Sequence, residues 1–241
     1  MRKLATTAVI GLTLSAICMG AAAAIGGGSF GESLGDFDFF DGKPRCEKIA
    51  GATATSRVLN WDGSNHVELT LPGHARYVRG SDDKLRATGD PQVLAHLKVD
   101  SGDIELDCRG WRSRTKDLEI TLPGREFRKF GVAGTGGMTL DRLDQSRLEI
   151  EIAGTGSITA TGKVDTVKIE IAGTGSADFG KVASREVEVE MAGVGRSDIA
   201  PTERAKIEIA GPGEVVLHSN PRLLETEIAG PGRLRKVPAG E

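Results

Sequence analysis

Leu148-Glu149-Ile150-Glu151-Ile152-Ala153-Gly154-Thr155-Gly156-Ser157-Ile158 returns, nineteen residues later, as Val167-Lys168-Ile169-Glu170-Ile171-Ala172-Gly173-Thr174-Gly175-Ser176-Ala177. Each copy alternates apolar and charged residues with period two, which marks a strand with one buried face, and then breaks at Gly-Xaa-Gly. The same Ala-Gly-Xaa-Gly corner recurs with its first glycine at Gly134, Gly154, Gly173, Gly193, Gly211 and Gly230, so that successive intervals are 20, 19, 20, 18 and 19. A second short alternating run follows the corner, with Met138 and Leu140, Ile158 and Ala160, Ala177 and Phe179, Val215 and Leu217 as its inward residues. Identical registers returning at this interval without a helical segment predict coiling rather than a meander, so that each strand stacks on its counterpart one turn later. The fold class expected is all-β: a single-stranded, parallel, right-handed β-helix, or solenoid, with turns of 18–20 residues, as those intervals require.

The corner chemistry agrees. Thr135, Thr155, Thr174, Val194, Pro212 and Pro231 precede the second glycine; proline there presets φ for a turn, and the glycine after it is the residue expected to take positive φ.

Stacking turns outward residues into columns. Lys129, Glu149, Lys168, Glu188, Lys206 and Glu225 alternate in sign and are expected to pair between turns, helping to fix the register. Two residues further on, Glu151, Glu170, Glu190, Glu208 and Glu227 make a column of one sign. Neighbours about 5 Å apart repel, so this strip is the candidate binding site, for a cation or a basic ligand. The alternative is a solvated face screened by the adjacent lysines.

At the N-terminus, Met1-Arg2-Lys3, the apolar run from Leu4 to Met19 and the small residues Gly20 to Ala24 read as a signal peptide over residues 1–24. A membrane anchor and lipidation at Cys18 are the alternatives. The apolar run falls short of the ~20 residues that span a bilayer, and Ile17 stands where lipidation favours a small residue. Residues 25–45 form a Gly-, Phe- and Asp-rich segment, expected to be flexible, that holds three of the seven phenylalanines at Phe37, Phe39 and Phe40. These are expected to cover an open end of the solenoid or to meet a partner. A calcium loop over Asp36, Asp38 and Asp41 fails because Phe40 occupies a ligand position.

Of three cysteines, Cys18 leaves with the signal, and Cys46 and Cys108 remain as an even pair in an oxidising compartment. A disulfide between them is expected, two buried thiols being the alternative. The loop it closes, of about 60 residues, corresponds to about 4 kcal/mol in the chain-entropy account.

The balance of 31 Lys plus Arg against 34 Asp plus Glu leaves no basic footprint for nucleic acid, and no transmembrane segment follows the signal. His66, His74, His96 and His218 lack metal-ligand spacing. No serine sits in a nucleophile elbow, and strands rather than helices follow the glycines, which removes phosphate cradling. No catalytic residue, cofactor or metal is assigned.

The Ile-Ala-Gly-Thr-Gly-Ser units at 152–157 and 171–176, with Leu-Pro-Gly at 122–124 before them, resemble the head GIN domain family over roughly residues 55–235. That family is labelled an auto-transporter adhesin head and comprises secreted bacterial β-helical proteins. The resemblance implies a fold and supplies no catalytic residues. The layout is then a signal peptide (1–24), the segment 25–45, and a GIN-like domain (46–241) with irregular turns at 55–130 and regular repeats at 131–235.

The function expected is that of an exported, non-enzymatic binding or scaffold protein of the bacterial envelope, periplasmic or at the cell surface, adhesin-like, with an envelope protein or glycan as partner. The alternative is a polysaccharide-active β-helix enzyme working from the irregular part around His96, Asp100, Asp103 and Asp107. Turns this short leave little length for the loops such an enzyme needs.

Overall fold

Period-two alternation becomes rows of buried side chains one above another. In the computed structural model, which describes residues 43–110 and 117–237, Ile150, Ile169, Val189 and Ile207 are each wholly buried and lie in register across successive turns. Residues 1–42, including the expected signal peptide and Phe37–Phe40, lie outside the described residues.

Parallel strands stack as a β-solenoid of about five turns, with about 20 residues per turn. The regular part runs through β8 (Lys129–Gly134), β9 (Gly137–Gly154), β10 (Ser157–Gly173), β11 (Ser176–Gly193), β12 (Arg196–Ala210), β13 (Glu214–Leu217), β14 (Leu223–Ala229) and β15 (Arg233–Lys236). The run before each corner forms one face of the solenoid, here face A, and the run after it forms face B. On face B the expected inward residues Met138, Leu140, Ile158, Ala160, Ala177, Phe179, Val215 and Leu217 are all buried.

At the corners the structure corrects the expected turn. The first glycine, not the second, takes positive φ, between 103° and 121° in all six. The second is required by space instead. A Cβ on Gly175 would sit 2.4 Å from Ile152 Cγ2, the apolar residue of the turn before. Each corner donates to the one beneath it: Thr174 N–H to Gly154 O at 2.8 Å and Ser176 N–H to Gly156 O at 3.0 Å. A side chain at either glycine would hold successive turns apart.

The N-terminal part is threaded out of order. It contains β1 (Ser56–Leu59), β2 (His66–Leu69), β3 (His74–Val78), β4 (Leu85–Thr88), α1 (Pro91–His96), β5 (Leu97–Asp100), β6 (Asp103–Leu106) and β7 (Glu119–Thr121). On face A, β2 lies between β6 and β8; on face B, β3 lies between β7 and β9, all parallel. The turn built from β6 and β7 therefore lies outside the turn built from β2 and β3, although it comes later in the chain. Antiparallel strands close this end, β5 on β6, β4 on β7 and β1 on β4. Asp90 starts α1 by accepting the Gln92 N–H at 2.8 Å, Pro91 supplies the preset φ of its first turn, and Val93 and Leu94 are buried. Trp61, Tyr77, Phe127 and Phe130 pack edge-on or tilted, with ring centroids 5.1 to 5.9 Å apart. The Cys46–Cys108 disulfide is formed.

Gly134 and Gly173 share positive φ, but a Cβ on Gly134 meets nothing within 4 Å, whereas one on Gly173 falls 2.5 Å from Gly154 O. In denaturant titrations Gly134→Ala should cost about 1 kcal/mol from backbone strain alone, and Gly173→Ala clearly more. Replacing both Cys46 and Cys108 by Ala should lower stability by about 4 kcal/mol. Hydrogen exchange should then rise first in β1 to β6 and last in β9 to β12.

Candidate functional site

Face A carries the charged columns, and both are in register. Lys129, Glu149, Lys168, Glu188, Lys206 and Glu225 succeed one another turn by turn. Glu151, Glu170, Glu190, Glu208 and Glu227 do the same.

The lysines do not confine themselves to their own column. Lys129 Nζ is 3.4 Å from Glu149 but 2.5 Å from Glu151, and Lys168 pairs with Glu170 and, at 3.5 Å, with Glu190. Lys206 lies 2.5 Å from Glu188 and 2.9 Å from Glu208. Glu225 takes Arg204 at 3.1 Å. Three lysines thus bridge two columns, and Glu151, Glu170, Glu190 and Glu208 each have one within reach. Hydrogen bonds that it donates to Glu188 and Glu208 hold the Lys206 ammonium well above its ordinary pKa. For Lys129 and Lys168 burial works against the charge, and the glutamates outweigh it.

The acidic column extends further than the repeats indicate. Beneath Glu151 come Gly131, then Glu68, then Asp103. Half-buried Glu68 has its carboxyl pushed up, first by burial, then by the charges of Asp103 and, past the bare Gly131, of Glu151. Burial likewise raises Asp103. Sequence reading did not place these two in the column, and named Asp103 only beside His96, because β2 and β6 reach the column out of chain order; the signal for Glu68 was the Val-Glu-Leu pattern at 67–69.

Face B holds a smaller network, also missed. Asp198 accepts from Arg196 at 2.8 Å and contacts His218 Nε2 at 2.9 Å, while Arg196 also reaches Glu214 at 3.0 Å. Burial raises the Asp198 carboxyl, but Arg196 and His218 outweigh it and hold it below the usual range.

The irregular part brings some of the alternative's residues together. His96 Nδ1 lies 2.7 Å from Asp107 and its Nε2 lies 2.9 Å from Glu47 O, so both ring nitrogens are engaged. Asp100 and Asp103 face each other across β5 and β6. His96, Asp107 and Cys108 cluster closely enough for a metal, but the Cys108 sulfur is consumed by the disulfide, which leaves two ligands. His74 Nε2 lies 3.0 Å from Thr139 Oγ1.

Glu68→Gln should therefore stabilise the fold at neutral pH, by on the order of 0.5 kcal/mol because solvent screens a half-buried charge. A raised folded-state pKa means that the native form holds the proton more tightly, so the cost is absent below the unfolded value of 4.5 and appears as pH rises through the folded one. Thermal melts at pH 7 and pH 4 should show the gain only at the former.

No curated protein matches the chain. Among solved structures, a putative adhesin from Bacteroides fragilis NCTC 9343 is similar, with TM-score 0.61 and 18% identity, over 76% of this chain and 96% of that one. A putative lipid binding protein from Parabacteroides distasonis ATCC 8503 gives 0.44 at 18% identity, over 76% and 96%. A putative adhesin from Parabacteroides merdae ATCC 43184 gives 0.39 at 14%, over 76% and 95%. The first of these shows the fold shared. Residues 113–221 match the family described as "Putative auto-transporter adhesin, head GIN domain".

Proposed function

We propose that the chain is an exported, non-enzymatic binding or scaffold protein of the bacterial envelope, adhesin-like, that engages an envelope protein or glycan through face A. The observation that carries this reading is the unbroken register of the two charged columns, which presents carboxylates and ammoniums at the spacing of the strands. A regular array of that kind suits an extended partner with repeating polar groups better than it suits a single reacting atom. The description of the matched family agrees with a binding role. The Cys46–Cys108 bond agrees with an oxidising compartment, periplasmic or at the cell surface.

Lysine bridging defines how the strip works in this reading. Glu151, Glu170, Glu190 and Glu208 are each half-compensated, so the face offers both donors and acceptors rather than a bare acidic strip. A cationic group on a partner competes for carboxylates already ordered by Lys129, Lys168 and Lys206.

The test uses residues 25–241 with isolated bacterial envelopes, comparing the parent with a Glu170→Gln, Glu190→Gln, Glu208→Gln variant. Co-sedimentation should fall several-fold in the variant and in high salt while the melting temperature holds. Retention unchanged by the three substitutions would remove face A from the reading. Product formed from defined glycans would replace binding by catalysis.

A further inference from the structure

The two ends of the solenoid are finished differently. The N-terminal end has antiparallel strands and α1 against it, whereas among the described residues β14 pairs with β12 and β15 with β13, leaving their other edges outermost. Exposure follows. Ile228 is 39% exposed, while Ile209, in register with it one turn earlier, is 2% exposed. Leu224 and Leu234 are only partly buried against the core. The last turn thus presents apolar side chains and two open strand edges, the arrangement through which sheets extend onto other chains.

Charge decides what fits there. β14 turns Glu225 and Glu227 outward and β15 turns Arg233 and Arg235 outward, so the two edges of one end carry opposite signs. We propose that this end is the interface of a homodimer, in which two copies meet end to end about a twofold axis running along the strands. That axis lays β14 of each copy antiparallel to β15 of the other. Glu225 and Glu227 then face Arg233 and Arg235 of the second copy, twice over, and the apolar residues of the last turn are covered. The other end-to-end twofold, β14 on β14, sets glutamate against glutamate and is disfavoured. Arg204 on Glu225 and Glu214 near Arg235, at 3.1 and 3.7 Å, hold these charges in place within each copy.

Sedimentation of the chain over a range of concentrations tests this, with circular dichroism confirming that each variant is folded. The parent should reach twice its monomer mass. Glu225→Arg with Glu227→Arg should weaken association about tenfold or more, and so should Arg233→Glu with Arg235→Glu, because like charges then meet at both contacts. Mixing the two double variants should restore a dimer, since each supplies the sign that the other lacks. A parent that stays monomeric at every concentration, or a dimer indifferent to both charge reversals, overturns the proposal. So does a chain that dimerises only once residues 25–42 are removed, which would assign the end to that segment instead.

Discussion

Everything in this solenoid depends on the backbone hydrogen bonds by which each turn sits directly on the one before. The corners make the constraint visible. Thr155 donates to Gly134 O, Thr174 to Gly154 O and Val194 to Gly173 O, a ladder that works only while nothing projects from the glycines. The first glycine supplies a backbone conformation that other residues adopt at a cost, and the second leaves room for the apolar residue of the preceding turn. Once the corners are in step, the strands that flank them are in step too, while the unequal turn lengths are taken up by register shifts between the faces; a one-residue slip would carry the whole Ile and Val row from the core to solvent.

In-register stacking also dictates the surface. Any outward residue meets its equivalents above and below, so a change at one repeat position is read as a column. A column of carboxylates alone would be repulsive, and the neighbouring column answers it with lysines long enough to reach sideways as well as along their own line. These pairs are exposed and individually weak. Their effect is geometric: they hold donors and acceptors at fixed positions across face A. Below the regular turns burial raises the carboxyls of Glu68 and Asp103, and for Glu68 the charges of Asp103 and Glu151 add to it.

A coiled fold also has two ends, which its repeats cannot finish. One is closed by strands that reverse direction and a short helix, with a cluster of aromatic rings packed in the turns next to it. The other, among the described residues, is the last repeat itself, with Ile228 less covered than its counterpart Ile209. Among the described residues that asymmetry gives the solenoid a direction: a built cap at one end and an unpaired strand edge at the other.

Residue spacing by itself determined the repeat. Period two with a glycine corner in every turn settles the strand, the inward rows from Met138 to Leu217, the members of both charged columns and the parallel stacking, because each follows from local geometry repeated. Cysteine parity likewise pointed to the bond between Cys46 and Cys108. Which glycine takes positive φ was not legible, since either could. Nor was the threading of the first turns: Val67–Gly73 and Leu118–Gly124 are near copies in sequence, yet β2 stacks in face A and β7 in face B. The reach of Lys168 across to Glu170 and Glu190, and the place of Glu68 and Asp103 beneath Glu151, were equally out of view. Repetition makes neighbours in space out of neighbours in sequence, and where the repeat lapses only long-range packing decides which strand lies on which.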